Sequence, residues 1–351
     1  MKIIVNDIAA SSGGALTILK SFYKFICESE EAKKHIWIFL LSDNYISETS
    51  NIKVIVRSDI KKSWINRLKF DFVEGKQLID DLNPDLVFSM QNTAIYGLNY
   101  PQVIYLHQSI PFQKIKKFSF LKYDEFKLAI YQYVIGYIIK SSLKKAHHII
   151  VQTKWMKSAI IEQLKINKTK ITNILPPIDL VDKSLYKDQF CNNSFFYPAD
   201  NFSYKNHYCL LEAVRLLNNL GISDFELKLT INDNESHSNI KYLGTIPHET
   251  VLKEYNRSVL VFPSYIETIG LPLLEARQFG TLILASDTPF SREALDNYPN
   301  AYFFNPFNPN ELVELMNKVM KGSIKKLDSS NINFDNNSWE DVLKLLESEG
   351  I

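Results

Sequence analysis

Short, unbroken apolar runs recur along this chain and alternate with segments that place apolar residues at helical spacing. In the first half the runs are KIIV (2–5), HIWIFLL (35–41), IKVIV (52–56), DLVFSM (85–90), PQVIYL (101–106), HHIIVQ (147–152) and ITNIL (171–175). Between them lie a helix over ALTILKSFYKFICES (15–29), a basic helical stretch with Trp64, Leu68 and Phe72 on one face, and a long helix from Tyr123 to Lys145. KWMKSAIIEQL (154–164) follows, behind Thr153 as N-cap. A run without polar alternation is a strand buried on both faces. Helices between such strands return the chain so that the strands run parallel.

Pro176-Pro177 interrupts the pattern, which then repeats. Strands are expected at SFFYP (194–198), FELKLTI (225–231), IKYLG (240–244), VLVFP (259–263), TLILAS (281–286) and AYFFN (301–305). Helices are expected at 205–221, with Gly221 as its C-cap, and at 248–258, 271–279 and 308–320. The polar stretch 321–337 reads as a loop, and SWEDVLKLLESEG (338–350) as a terminal amphipathic helix. The fold class is therefore α/β, with two Rossmann-like, doubly wound parallel-sheet domains over 1–177 and 178–337. The helix within 338–351 is expected to pack back on the first domain. A length of 351 residues suits two domains. Ligands of open α/β sheets bind outside the carboxyl ends of the strands, so a cleft between the two domains is the expected site.

The net charge of +1 conceals an asymmetry: residues 1–178 carry +10 and residues 179–351 carry −9, which suggests different partners for the two domains. Cys27, Cys191 and Cys209 are scattered and odd in number, which argues against a disulfide framework or a cysteine zinc site and fits a reducing compartment. The start, MKIIVNDIAASSGG, reads as a first strand and a turn, and LAIYQYVIGYII (128–139) is too short to cross a bilayer. The expected location is cytoplasmic. Near-neutral charge and the lack of a known module disfavour nucleic acid.

The sharpest chemical signal is FPSYIETIGLPLLEARQFG (262–280). Glu267 and Glu275 are eight apart, a spacing that means little alone. Pro263 and Ser264 end a buried strand, Gly270 permits a tight backbone, and Pro272 stands where the first residue of a helix is expected. The amides of Gly270, Leu271 and Leu273 are then free to face an anion at the helix N-terminus, which favours phosphate. A carboxylate on each side accepts hydrogen bonds from sugar hydroxyls, each worth about 1.5–3 kcal/mol. Phosphate flanked by two hydroxyl-reading carboxylates suits a nucleotide sugar.

This segment resembles the signature of the retaining glycosyltransferases with two Rossmann-like domains, the GT-B fold of family 4 type. YPADNFSYKNHYCLLEAVRLL (197–217), YLGTIPHETVLKEYNRSVLVFPSYIETIGLPLLEA (242–276), HHIIVQTKWMKSAI (147–160) and SSGGALTIL (11–19) are similar to further family segments in the same order. The resemblance implies that Glu267 contacts hydroxyls of the transferred sugar, that Glu275 binds the ribose, and that Lys205 pairs with the donor diphosphate. It implies that the amides of Ile269, Gly270 and Leu271 hold the same diphosphate. Gly13 and Gly14 would let the backbone approach donor and acceptor, and His107 would lie against the donor sugar. The family commonly has an arginine shortly before this lysine; YPADNFSY (197–204) has none, which shifts weight to Asn201, Ser203 and the helix end.

The implied function is transfer of a sugar from a nucleotide-diphosphate sugar, UDP ahead of GDP, to a glycan acceptor on a lipid carrier, as in bacterial surface-polysaccharide synthesis. No cofactor and no metal are expected, and His147 and His148 read as structural. A nucleotide-sugar epimerase of the same fold and an inactive sugar-nucleotide-binding partner remain alternatives. Residues 114–148 hold eight lysines against Asp124 and Glu125, interleaved with aromatics. They read equally as a packed helix with solvated ends or as a surface that docks on anionic lipid at the inner face of the membrane.

Overall fold

The computed structural model describes residues 1–350 apart from 12, 179, 183–185, 187–188, 233–237 and 329–337, and apart from the side chain of Trp64. All thirteen expected strands are present. Seven belong to the first unit: β1 (Lys2–Asn6), β2 (Ile36–Leu41), β3 (Ile52–Val56), β4 (Leu86–Ser89), β5 (Gln102–Leu106), β6 (His148–Val151) and β7 (Ile171–Asn173). Six belong to the second: β8 (Ser194–Tyr197), β9 (Glu226–Leu229), β10 (Ile240–Tyr242), β11 (Val259–Phe262), β12 (Ile283–Ser286) and β13 (Ala301–Phe304). The first sheet is ordered β3-β2-β1-β4-β5-β6-β7 and the second β10-β9-β8-β11-β12-β13, with every pairing parallel. Strand order reverses between β1 and β4 and again between β8 and β11, the two topological switch points.

In β1 the side chains alternate between two buried layers. Ile3 and Val5 join Phe22, Trp37, Phe88 and Tyr105 on one face, while Ile4 joins Ile38, Leu40, Val87, Phe70 and Ile79 on the other. Burial on both faces is why these strands read as unbroken apolar runs. The terminal helix Trp339–Glu349 lies on the first of these layers. Trp339 packs 5.0 Å from Phe22 and 5.9 Å from Tyr105, and its indole donates to Ser21 Oγ at 2.9 Å. A capping box between Ser338 and Asp341 starts this helix, and Glu347 and Glu349 reach His35 and His148 at 2.9 and 3.0 Å.

In the second unit, helix His207–Asn219 ends in a Schellman motif. Ile222 N bonds to Leu217 O at 3.0 Å, Gly221 N bonds to Asn218 O at 3.0 Å, and Gly221 adopts φ 74°.

Three expectations need correction. Residues Lys114–Lys127, placed in the first domain by the sequence, group with the second unit, whereas Met1–Gln113, Leu128–Ile178 and the terminal helix form the first. The cause is an anchor: Lys116, paired with Glu125 within the segment, lies 4.7 Å over the Tyr265 ring, and Ser203 Oγ donates to Asp124 O at 3.3 Å. The long helix accordingly begins at Phe126, not Tyr123. On the basic helical stretch, Phe72 does not face the core. A π-helical turn over Phe70–Glu74 shifts the register, burying Phe70 and Asp71 and leaving Phe72 45% exposed. Of the expected loop at 321–337, residues 329–337 lie outside the described residues, as does Ser12 of the expected turn.

Candidate active site

The chemical residues of the second unit lie on the loops that leave the carboxyl ends of β8 and β11, the two strands at its switch point. After β8 the chain makes a short 3-10 turn, Ser203–Lys205, then enters helix His207–Asn219. Asn206 joins the two with a left-handed backbone (φ 59°). Asparagine tolerates that conformation better than most side chains. Its buried amide donates to Pro263 O at 3.1 Å and Pro306 O at 2.9 Å, tying the turn to the loops after β11 and β13.

Lys205 Nζ donates to Glu267 Oε1 at 2.7 Å, and Ser264 Oγ donates to the same oxygen at 2.9 Å. Tyr197, at the end of β8, is fully buried; its hydroxyl donates to Lys205 O at 3.0 Å and lies 2.8 Å from Ser264 Oγ. Ser286 Oγ of β12 holds Ser264 O at 2.7 Å. Both charged side chains are largely buried. Burial works against the Lys205 ammonium, but the Glu267 carboxylate, with smaller contributions from Tyr204 and Asp200, outweighs it and holds the group above the ordinary lysine range. Burial first, then the Glu267 charge, keeps the Tyr197 phenol protonated well above its usual range. Among the described residues only Oε1 of Glu267 is engaged, which leaves Oε2 open as an acceptor.

Helix Leu271–Gln278 starts directly after this loop. Its N-cap is Gly270 at φ 79°, a conformation that suits glycine. The helix begins at Leu271, where the sequence reading starts it, so Pro272 is its second residue and not its first. Leu273 N is spent on Gly270 O at 2.8 Å, which removes it from the expected anion donors. No hydrogen bond among the described residues engages the amides of Ile269, Gly270 or Leu271. These are the same three that the family resemblance implies.

One turn further on, Glu275 is held from both sides. Tyr255 OH donates to Oε2 at 3.1 Å, and His248 Nε2 lies 3.1 Å from Oε1. Burial and the adjacent carboxylate push the Tyr255 phenol well above its usual range, so it remains a donor. Each Glu275 oxygen thus has one partner and keeps a further lone pair. Asn201 is exposed, and Ser203 is occupied by Asp124.

Three of the expected residues belong to the first unit. His107 follows β5; its backbone amide bonds to Asn92 Oδ1 at 2.6 Å, and Gln152 Nε2 lies 3.2 Å from Nδ1. A donating Gln152 amide places the ring proton on Nε2. Burial pushes the imidazole down to about 4, so the ring is neutral at physiological pH. Gly13 and Gly14 form the first turn of helix Gly13–Glu28, which therefore starts two residues before the sequence reading. Gly13 has φ 60°, and a Cβ on either glycine meets open space.

Sequence reasoning missed Tyr197, Asn206, His248 and Tyr255 as supports of the site. Tyr197 reads as one more apolar strand residue, and Asn206 as an ordinary helix start. Tyr255 and His248 lie on a helix whose approach to Glu275 has no sequence signature. Among the described residues, no group of three or more His, Cys, Asp or Glu is placed to hold a metal ion.

Two family models match the chain: residues 192–334 match the one described as Glycosyl transferases group 1, and residues 41–182 the one described as Glycosyltransferase Family 4. The chain is 24% identical over 208 residues to the O-antigen chain mannosyltransferase RfbU of Salmonella typhimurium. That match covers 57% of this chain and 57% of the relative, so the chain spans little more than half of that protein. Among solved structures, the lipopolysaccharide outer core galactosyltransferase WaaB in its apo form superposes with a TM-score of 0.62 at 16% identity, covering 93% of this chain and 92% of the other. Anabaena Alr3699/HepE in complex with UDP-glucose gives 0.60 at 14% identity, covering 93% and 91%. These likenesses show the fold, two parallel-sheet domains of the GT-B type.

Proposed function

The chain belongs to the family 4, group 1 glycosyltransferases, and from that premise we propose that it moves a sugar, with retention at the anomeric carbon, from a nucleoside-diphosphate sugar to a glycan acceptor. The observation that carries this reading is the Lys205–Glu267 pair beside the three open amides of Ile269, Gly270 and Leu271. As the bond between the anomeric carbon and the diphosphate oxygen breaks, negative charge gathers on the departing phosphate. Lys205 and the helix-end amides are fixed in place to receive it, the arrangement by which preorganised dipoles lower a barrier. The acceptor oxygen forms its bond on the same face of the sugar, and its proton passes to the departing phosphate. Glu267 orients the sugar through its open Oε2 and forms no covalent bond. Glu275, steadied by Tyr255 and His248, reads the ribose hydroxyls. Lys205 and the amides carry the charge, so the reading calls for no metal.

UDP is the preferred donor nucleotide, supported by the UDP-glucose held by the Anabaena neighbour. A lipid-linked glycan of the O-antigen or capsule kind, met at the inner membrane face, is the preferred acceptor, supported by the name of the Salmonella relative. Incubating the full chain with a nucleotide sugar, with and without an oligosaccharide acceptor, tests the reading. Acceptor-dependent nucleotide release with an α- or β-linkage matching the donor supports it. Epimerised donor without nucleotide release points to an isomerase instead.

A further inference from the structure

We infer that the segment Lys114–Lys127, a strap from the first half of the chain that belongs to the second unit, holds the Lys205–Glu267 pair in place for sugar transfer, with Lys116 and Glu125 as its positioning residues. This role rests on the transfer reading and extends it to residues that act through the two loops of the site.

Glu125 is the hub of the strap. Its buried carboxylate accepts from Ser119 N through Oε2 at 2.9 Å, and its Oε1 pairs with Lys116 Nζ at 3.0 Å and Lys122 Nζ at 3.6 Å. Burial works against the charge, but the bonds from Lys116 and Ser119 outweigh it and hold the group below the ordinary glutamate range. Phe118 is buried beside this turn in the chain. A charged hub bonded at three points folds the strap on itself and fixes the direction in which Lys116 extends.

The strap meets both loops of the site. Lys116 Nζ lies 4.7 Å over the ring of Tyr265, which is largely buried and stacks on Phe307 at 4.9 Å. Tyr265 stands two residues before Glu267. Asp124 O accepts from Ser203 Oγ at 3.3 Å, and Ser203 opens the turn that ends at Lys205. The two loops are joined to each other by Tyr265 N, which donates to Tyr204 O at 2.9 Å. Each strap contact therefore lies two residues from one member of the pair.

The 2.7 Å bond between Lys205 and Glu267 sets the two groups against each other but does not set where the pair sits. Lysine must face the departing phosphate while the carboxylate faces the sugar, and a misplacement of about 1 Å costs about a hundredfold in rate. The strap braces both loops from outside the pair. The amides of Ile269, Gly270 and Leu271 lie beyond its contacts, so loosening it is expected to lower kcat more than nucleotide affinity.

Hydrogen exchange of the full chain and of Lys116→Met tests the brace directly. Amides of residues 203–206 and 264–267 are expected to exchange about tenfold faster or more in the variant, with those of the first unit unchanged. In steady-state kinetics kcat is expected to fall about tenfold or more, while the Kd for UDP stays within about threefold of the parent. Lys116→Arg, whose guanidinium can both pair with the carboxylate and lie on the ring, is expected to keep exchange and kcat at the parent's level. Lys116→Met and Glu125→Gln combined should cost little more than either alone, because both cut one linkage. Unchanged exchange at the two loops, an unchanged kcat, or a Lys116→Arg variant as impaired as Lys116→Met would each overturn this role. Exchange is read without substrate, so a parent that transfers no sugar would contradict the transfer reading and not the brace.

Discussion

Lys205 Nζ and Glu267 Oε1 lie 2.7 Å apart, and each compensates the charge of the other inside the second unit. A donor diphosphate must therefore share Lys205 with a carboxylate already in place. Glu267→Gln removes that competing charge and, with its amide oxygen held by Lys205 and Ser264, presents an NH2 donor to the sugar in place of the open acceptor oxygen. Transfer is expected to fall at least about a hundredfold while nucleotide binding persists. Stability is expected to fall by about 1–3 kcal/mol, because a buried ammonium loses its counter-charge. Steady-state kinetics and urea unfolding of the variant check both parts.

Asn206 combines a left-handed backbone with two carbonyl partners on separate loops. Asn206→Ala strains the backbone by about 1–2 kcal/mol and strands two buried carbonyls, for an expected total of about 3 kcal/mol. Asn206→Gly relieves the strain but not the lost bonds and should fall between. Equal stability of the three proteins in denaturant would contradict this role.

The terminal helix is fastened to the first unit by Trp339. Trp339→Ala opens a cavity against Phe22 and Tyr105 and is expected to cost about 3–5 kcal/mol. A thermal unfolding midpoint within a degree or two of the parent would show that the helix contributes little.

Burial raises the Asp7 carboxyl from 3.8 to about 8, with Arg67 acting in the opposite sense. The folded protein therefore keeps a proton there that the unfolded chain gives up above about pH 4. The sign follows: this contribution is fully present below the unfolded value and is lost as pH rises toward 8. Asp7→Asn should be increasingly more stable than the parent between about pH 4 and 8, and the gap should then level off. Unfolding midpoints of the pair across that range provide the check.

His107 and His207 behave oppositely, since burial lowers both imidazoles to about 4. Folded and unfolded chains are both neutral at these positions well above pH 6.5. Below it only the unfolded chain takes up the proton readily, so stability is lost as pH falls from about 6.5 to 4. The ring signals of His107 in NMR spectra should stay constant from pH 8 to 5. A titration midpoint near 6.5 would refute the neutral, Nε2-protonated ring.

The strands were legible because both-face burial writes itself as unbroken apolar runs, and β11 with its following Pro-Ser-containing loop marked the site. What the sequence could not show is what depends on neighbours distant along the chain. The Tyr255 and His248 contacts to Glu275 come from another helix, and the loss of Leu273 N to Gly270 O is a detail of how the helix starts. The 3.6-residue period set Phe72 on one face with Trp64 and Leu68, and a π-helical turn, which no apolar period announces, leaves it exposed. The shift of residues 114–127 to the second unit follows from Lys116 lying over the Tyr265 ring and from Ser203 bonding to Asp124 O, contacts between residues far apart in the chain.

The central claim is that Lys205 and the amides at Ile269, Gly270 and Leu271 grip a nucleoside diphosphate. Calorimetric titration of UDP and GDP into the full chain and into Lys205→Ala, each with EDTA present, tests it most directly. The account predicts one-to-one binding of UDP to the parent, weakened about tenfold or more in Lys205→Ala and indifferent to the chelator. A parent that binds neither nucleotide, or a Lys205→Ala variant that binds as tightly as the parent, would contradict it.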